Sequence, residues 1–122
     1  MVRKSVIFNW FYVVLWAAVI FYLSSIPHLQ SGFEYWPDTI LRKGAHFAVF
    51  GFLAWLLYRA TNSYRWALVL PILYAISDEY HQSLVVGRSG QVIDIFIDLI
   101  GAVFFIWIWQ QIKKLAPRIA RS

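Results

Sequence analysis

Side chains that can take part in acid–base or binding chemistry gather in three short segments of the sequence. The segments hold Lys43 and His46, then Asp78, Glu79, His81 and Gln82, then Arg88, Asp94 and Asp98. A histidine beside a carboxylate can move a proton, and a lysine or arginine can hold a phosphate or another anion. These residue types therefore indicate a proton-transfer centre, an anion-binding site, or both.

The 122 residues include no cysteine. A thiol nucleophile, cysteine-ligated zinc, an iron–sulfur cluster and a disulfide are therefore excluded, and the chemistry is left to oxygen and nitrogen side chains. Ser24 and Ser25 end an apolar run, and neither has an identifiable base near it in the sequence. We predict that both hydroxyls bond to backbone carbonyls at the end of a helix.

The segments around these residues are apolar enough to form helices in a lipid bilayer. Of the residues, 61% are hydrophobic and 14% are charged, against about 45–50% and about 25% in soluble domains. A crossing helix needs about 20 apolar residues, and the apolar runs predict helices at about 6–26, 40–58, 66–84 and 91–112. Residues 28–38 are predicted to form a loop on the membrane surface. The expected fold is an all-α, four-transmembrane-helix bundle in a single domain over residues 1–122.

Lysine and arginine are distributed unevenly between the two ends of these helices. One end has three, Arg42, Lys43 and Arg88, and the other has eight: Arg3, Lys4, Arg59, Arg65, Lys113, Lys114, Arg118 and Arg121. Because short cytoplasmic segments carry the excess, both termini are predicted to be cytoplasmic. The basic tail after Ile112 is expected to set this topology and to bind anionic lipids rather than nucleic acid. The candidate site residues then lie in the extracytoplasmic half.

The spacing on the fourth helix predicts where its carboxylates point. A helix that enters the bilayer near Gly90 carries Asp94 about 6 Å and Asp98 about 12 Å inward, at 1.5 Å per residue. A lone charged carboxylate at such a depth costs about 2.5–3.5 kcal/mol, so both should face the bundle interior and pair there. They share a helix face with Gly101, where a neighbouring helix can approach closely.

The second and third helices have polar faces of the same kind. Lys43 and His46 share one face of the second helix. On the third helix, Asp78 shares a face with His81 and Gln82, and Glu79 lies about 100° round the helix axis. These faces predict one cluster that all three helices surround.

The predicted cluster has more acidic than basic groups. It contains Asp78, Glu79, Asp94 and Asp98 against Lys43 and Arg88. In a low dielectric this balance is unfavourable unless a carboxylate is protonated, a histidine is charged, Arg42 joins the cluster or a cation binds. The spacing of Asp78 and His81 is typical of metal sites in helical bundles, but the two neighbouring cations disfavour a metal. No metal or other cofactor is therefore assigned.

Four sequence motifs resemble those of the VanZ-like family of small bacterial membrane proteins. They are Ser24-Ser25-Ile26-Pro27, Lys43-Gly44-Ala45-His46-Phe47, Asp78-Glu79-Tyr80-His81-Gln82, and Arg88 followed by Asp94, Asp98 and Gly101. The resemblance covers roughly residues 20–105, and the family pattern often has Asn at the position of Asp98. It implies a protein of the bacterial inner membrane. It also implies a link to antibiotic resistance, because the family is named for a protein that gives low-level resistance to the glycopeptide teicoplanin.

Three functions remain open at this point. The first is binding of an anionic lipid headgroup, and the second is an intramembrane enzyme that acts on a lipid-linked cell-envelope substrate, with His46 or His81 as the general base. The third is a structural or partner-binding protein whose cluster only locks the bundle. The expected partners are membrane lipids and either a lipid-linked envelope precursor or a glycopeptide, and no oligomeric state is predicted. The catalytic candidates are His46, Asp78, His81 and Asp94, and the binding candidates are Lys43, Glu79, Gln82, Arg88 and Asp98.

Overall fold

The chain forms four α-helices and, among the residues described, no strand. The computed structural model describes the backbone of residues 4–25, 35–85 and 92–121, and the side chains of residues 6–25, 40–85 and 92–116. The helices are α1 (Lys4–Ser24), α2 (Tyr35–Thr61), α3 (Tyr64–Ser83) and α4 (Val92–Arg121). The predicted all-α, four-helix fold is confirmed.

The helix ends differ from the predicted ones by up to nine residues, most at the start of α2 and the end of α4. α1 ends at Ser24, and α2 begins at Tyr35, so residues 35–38 of the predicted surface loop are helical. Pro37 fits there because the first backbone N–H groups of a helix have no partner within it. The rest of that loop, residues 28–34, lies outside the described residues. α4 continues past 112 to Arg121, because the lysine, leucine and alanine residues at 113–116 favour helix.

A tight turn makes α2 and α3 antiparallel neighbours. Asn62 has a positive φ of 54°, a conformation that asparagine tolerates better than most residues. Ser63 then caps α3, because its hydroxyl accepts a hydrogen bond from the Trp66 backbone N–H at 3.3 Å. Only two residues, 62 and 63, separate the helices, so the chain reverses within one turn.

α2 is the central helix of the bundle. It packs against each of the other three helices, and Phe50, Leu53 and Ala54 on it are almost fully buried. Gly101 on α4 lies against the Phe47 backbone carbonyl, so a Cβ at that position would clash. The predicted close approach at Gly101 is confirmed. Among the described residues, α1 contacts α2 and α3 but not α4.

Hydrogen bonds to backbone carbonyls attach α1 to its two neighbours. The Trp16 indole Nε1 donates to the Val49 carbonyl of α2 at 3.0 Å. The Tyr74 hydroxyl of α3 donates to the Ala17 carbonyl at 2.5 Å. Both bonds reach the middle of α1, so they set its position along the bundle axis.

The outer surfaces of the helices are apolar, as a lipid environment requires. Three helices are long and apolar enough to cross a membrane, over Val6–Ser24, Ile40–Thr61 and Val92–Ala116. Large apolar side chains stay exposed on them, among them Phe8, Phe11, Phe21, Phe96, Ile100 and Trp107. α3 lacks such a stretch because its second half is polar from Ser77 to Gln82. Its crossing of the bilayer stays a prediction.

Candidate functional site

The buried polar side chains gather at one end of the bundle, where α1 and α3 finish and α2 and α4 begin. We call this the polar end. Every polar or charged side chain that is buried within the described part of the chain lies there: Ser24, Asp78, Glu79, Gln82, Asp94 and Asp98. The predicted gathering of three sequence segments at one end is therefore present in the fold.

One group of polar side chains joins α2 to α4, and we call it the α2–α4 group. Lys43 forms an ion pair with Asp94. His46 Nδ1 lies 2.9 Å from Asp98 Oδ1, and His46 Nε2 lies 3.8 Å from Asp94 Oδ2. Because Asp94 and Asp98 are one helical turn apart, their carboxylates meet opposite edges of the imidazole.

Aromatic packing supports the imidazole from the bundle interior. The ring of Phe50, one turn further along α2, lies parallel to that of His46 with 6.3 Å between centroids. Phe50 in turn contacts the Tyr74 ring of α3 at 6.1 Å. The predicted shared face of α2 and α4 side chains is thus formed, and its inner side is closed by aromatic rings.

A second group joins α1 to α3, and we call it the α1–α3 group. The Ser24 hydroxyl donates to Asp78 Oδ1. Gln82 Nε2 lies 3.3 Å from both Ser24 Oγ and Asp78 Oδ2, and it donates to them. All three side chains are buried. The carboxylate of Asp78 therefore accepts hydrogen bonds from two neutral side chains, Ser24 and Gln82.

The prediction for Ser24 was wrong. Its hydroxyl meets a carboxylate on another helix rather than a backbone carbonyl, and this makes Ser24 a site residue that the sequence reasoning missed. Ser25 behaves as predicted, because its hydroxyl donates to the Phe21 carbonyl at 2.8 Å. Adjacent residues point about 100° apart on a helix, so only one of the two can face α3. The available signal was the position of Ser24 at the polar end of the first helix.

Glu79 belongs with the α2–α4 group rather than with Asp78. It is buried, and ligand atoms of Glu79, His46 and Asp98 all lie within 4.8 Å of one another. The predicted rotation of Glu79 away from Asp78 explains this, since consecutive residues of α3 face different neighbours. α3 thereby contributes to both groups.

Among the predicted site residues that the structure describes, His81 is not brought into either group. His81 stacks on the Phe21 ring of α1, with centroids 4.3 Å apart and planes within 9°. Its buried Nδ1 has no hydrogen-bond partner among the described residues. Arg88 lies outside the described residues. His46 is therefore the histidine that the structure places between carboxylates.

The sequence of these helices matches a known family model. The match is to VanZ/LLP1 and covers residues 8–114. The chain belongs to the VanZ/LLP1 family. The resemblance inferred from the four motifs is confirmed, and with the apolar helices it makes the chain a VanZ-like membrane protein. No match was found among curated proteins or among solved structures.

The polar end of this VanZ-like protein is rich in carboxylates. Lys43 is the cation that pairs inside the α2–α4 group, and the two groups together contain Asp78, Glu79, Asp94 and Asp98. Such a site can bind a cation, pass a proton through His46, or place Lys43 against an anion while the carboxylates hold it. The matched region includes every one of these side chains.

Proposed function

We propose that this VanZ-like protein binds the phosphate-bearing headgroup of a cell-envelope lipid at its polar end. The observation that carries the proposal is the graded exposure of the α2–α4 group. The side chain of Lys43 is 30% exposed, whereas those of Asp94 and Asp98 behind it are 9% and 2% exposed. Lys43 is therefore held by a buried carboxylate on its inner side while part of its side chain stays exposed, and a lysine placed in this way can contact a phosphate.

The surroundings of Lys43 favour a lipid over a soluble anion. Ile40, Leu41, Val92 and Ile93 are large apolar side chains at the same end of the bundle, and all are exposed. In a bilayer these residues would lie beside the acyl chains of a lipid whose headgroup reaches Lys43. A soluble anion would gain nothing from them.

The proposal includes a location and a cellular role. We place the protein in the bacterial inner membrane with several crossings and both termini in the cytoplasm, which puts the polar end in the extracytoplasmic half. The uneven distribution of Lys and Arg supports this orientation. The name of the family supports a role in the cell envelope that alters susceptibility to glycopeptides such as teicoplanin.

A binding measurement with a soluble lipid tests the proposal. Protein purified in a non-ionic detergent is titrated with dioctanoyl-phosphatidylglycerol, and its melting temperature is recorded. We expect the apparent Kd to weaken by about tenfold in Lys43→Ala, since a charge-assisted hydrogen bond contributes about 1.5–3 kcal/mol. Lys114→Ala removes an exposed lysine from the other end and should bind as the wild type does. Equal affinities in all three proteins would contradict the proposal.

An intramembrane enzyme is the second candidate, and one observation favours it. Asp98 lies within hydrogen-bond distance of His46 Nδ1 at 2.9 Å, whereas Asp94 lies 3.8 Å from Nε2, and one carboxylate at one ring nitrogen is the arrangement that orients the other nitrogen as a general base. In that case a lipid-linked envelope substrate would be turned over by the purified protein, and His46→Ala would abolish turnover while leaving lipid binding in place. No turnover with envelope lipids, with or without divalent cations, would count against it.

In the third candidate, the polar cluster only stabilises the packing of the bundle. Charge-neutral variants such as Asp94→Asn would then lower the abundance of the protein, and activity in a deletion-complementation assay would fall only in proportion. A loss of complementation at normal abundance would favour the binding proposal instead.

A further inference from the structure

The geometry points to a binding site for a divalent first-row metal cation, such as Zn²⁺ or Mn²⁺, formed by His46, Glu79 and Asp98. Each residue offers one ligand atom, and the three atoms lie within 4.8 Å of one another. One imidazole and two carboxylates suit these cations better than Mg²⁺ or Ca²⁺, which prefer oxygen ligands alone.

The three ligands come from three different helices. His46 is on α2, Glu79 on α3 and Asp98 on α4, and metal sites in helical bundles are commonly formed by inward side chains of facing helices. Ligands at 2.0–2.2 Å in a tetrahedral shell are about 3.3 Å apart. The ligand atoms therefore need to approach by no more than about 1–1.5 Å, which side-chain rotation achieves without moving the helices.

The histidine is oriented as a metal ligand should be. His46 Nδ1 and Asp98 Oδ1 are 2.9 Å apart, close to the separation of two ligands on one cation. The other ring nitrogen, Nε2, faces Asp94 Oδ2 at 3.8 Å. At 3.8 Å Asp94 is beyond hydrogen-bond distance, but it is the carboxylate placed to accept the second N–H, which metal-bound histidines usually donate to a carboxylate.

The second carboxylate oxygen of Asp98 points independently to a ligand. The residue is only 2% exposed, and its Oδ2 has no hydrogen-bond partner among the described residues. A buried carboxylate oxygen left without a partner is costly, and coordination to a cation would satisfy it.

A lysine beside a metal site repels the metal ion, so Lys43 disfavours a metal when only the sequence is considered. In the structure, Lys43 and a metal ion can both be present. Its ammonium group pairs with Asp94, which is the carboxylate next to the site and not one of the three ligands. Lys43 therefore offsets the charge of Asp94, while the metal would offset the charges of Glu79 and Asp98. Both cations can be present because Asp94, which pairs with Lys43, is not one of the three metal ligands.

Three protein ligands leave a fourth coordination position for another group. A phosphate oxygen of a headgroup held by Lys43 would fill that position, a step that rests on the proposed function. The metal would then let an acid-rich end of the bundle accept an anionic ligand. The metal site itself does not depend on lipid.

A metal titration without lipid tests the site. The protein carries a tag without histidine, is stripped with EDTA in a phosphate-free detergent buffer, and is loaded with ZnCl₂ or MnCl₂. After desalting, the bound metal is counted by mass spectrometry. We expect about one ion per chain and a higher melting temperature, with at least tenfold weaker binding in Glu79→Gln and Asp98→Asn.

Matched variants separate the site from general effects. His81→Ala removes a histidine that the structure places against Phe21 and should bind metal as the wild type does. Glu79→Gln and Asp98→Asn keep the side-chain shape, so they test the site even where His46→Ala does not fold. No bound metal in folded wild-type protein, or metal binding in both carboxamide variants as tight as in the wild type, would overturn the inference.

The same preparations distinguish failure of the metal site from failure of headgroup binding. Lipid binding that depends on Lys43 but occurs equally in EDTA overturns the metal site's part in headgroup binding. Stoichiometric metal binding together with no Lys43-dependent response to dioctanoyl-phosphatidylglycerol overturns the proposed function alone.

Discussion

The two ends of the bundle treat charge in opposite ways. At the polar end, the carboxylates are buried and are held by side chains on other helices. At the other end, which we call the basic end after its residues Arg59, Arg65, Lys113 and Lys114, two of the cations lie on aromatic surfaces. Arg59 lies 5.0 Å from the centre of the Trp55 ring, and Lys113 lies 5.0 Å from that of Tyr58.

The difference between the two ends separates charges that need partners inside the protein from charges that can remain in water. A long basic side chain at a helix end can rest its stem on apolar surface and keep its charge in water. A buried carboxylate cannot reach water, so its partners must be in place when the helices pack. Among the described residues, buried charge is found at the polar end, which supports the binding proposal, and exposed charge at the other end fits a role in topology.

The largest contrast between the ends is expected from removing one charge at each. Asp98→Ala leaves His46 and the α2–α4 contact without their buried carboxylate, and we expect a loss of about 3 kcal/mol in the free energy of unfolding. Lys113→Ala at the basic end should cost less than about 1 kcal/mol. Unfolding of both variants in mixed micelles with increasing SDS measures the two losses, and equal losses would remove the distinction between the ends.

A smaller effect is expected where helices touch behind the polar end. Gly101→Ala forces a methyl group onto the Phe47 carbonyl, and we expect about 2 kcal/mol of destabilisation because neither backbone can yield easily. The matched change is Gly44→Ala on α2, where nothing lies within 4 Å of the new methyl group. That variant should gain up to about 1 kcal/mol from helix propensity. Changes of opposite sign in the free energy of unfolding of the two variants, measured by SDS unfolding, would support the close contact. An unchanged free energy of unfolding in Gly101→Ala would contradict it.

Adjacent serines give a sharper comparison within the polar end. Ser24→Ala leaves Asp78 Oδ1 without its hydroxyl donor and should cost about 1–2 kcal/mol. Ser25→Ala removes only a bond to the preceding turn of its own helix, so its effect should stay within about 0.5 kcal/mol. The same unfolding assay, with the helical content checked by circular dichroism, compares the pair. A larger effect at Ser25 would show that α1 is rotated.

The smallest effect is expected at the basic end. Tyr58→Phe removes the hydroxyl that lies 2.9 Å from Lys113 Nζ and accepts its hydrogen bond, while the ring beneath the ammonium group stays. We expect about 0.5 kcal/mol or less, because hydrogen bonds between membrane helices average about 0.6 kcal/mol. A loss above about 2 kcal/mol in the free energy of unfolding would show that this hydrogen bond stabilises the fold, contrary to our expectation for the basic end.

Contacts that depend on helical period were predictable from sequence. The shared face of Asp94 and Asp98, their pairing with the residues of α2 and the close approach at Gly101 all follow from 3.6 residues per turn and the cost of buried charge. The placement of Glu79 off the Asp78 face was predictable for the same reason. These relations lie within single helices or between helices that must share their polar sides.

Contacts that depend on the relative heights of two helices were not predictable. Ser24 meets Asp78, 54 residues further along the chain, only because α1 and α3 end at matching levels. The approach of Glu79 to His46 and Asp98 depends on the heights of three helices at once. Hydrophobic period determines the side that a helix buries but leaves it free to slide along its neighbour. The end of a helix is equally weakly encoded, as the early start of α2 at Tyr35 illustrates.

The peripheral position of α1 makes it separable from the rest of the molecule. Only 11% of its apolar stretch is buried, and in lipid, apolar contact provides little drive for helices to associate. Its attachment therefore depends on a few specific hydrogen bonds. In two of them the acceptor is a backbone carbonyl, since Trp16 donates to the Val49 carbonyl and Tyr74 donates to the Ala17 carbonyl. Backbone acceptors are present whatever the side chains are, so most of the lipid-facing sequence of α1 can vary as long as the donors Trp16 and Ser24 remain, together with Asn9, whose amide donates to the Arg59 carbonyl at 3.0 Å. Two hydrogen bonds near the middle of α1 set its position along the bundle axis, and Ser24 at its C-terminal end bonds to Asp78.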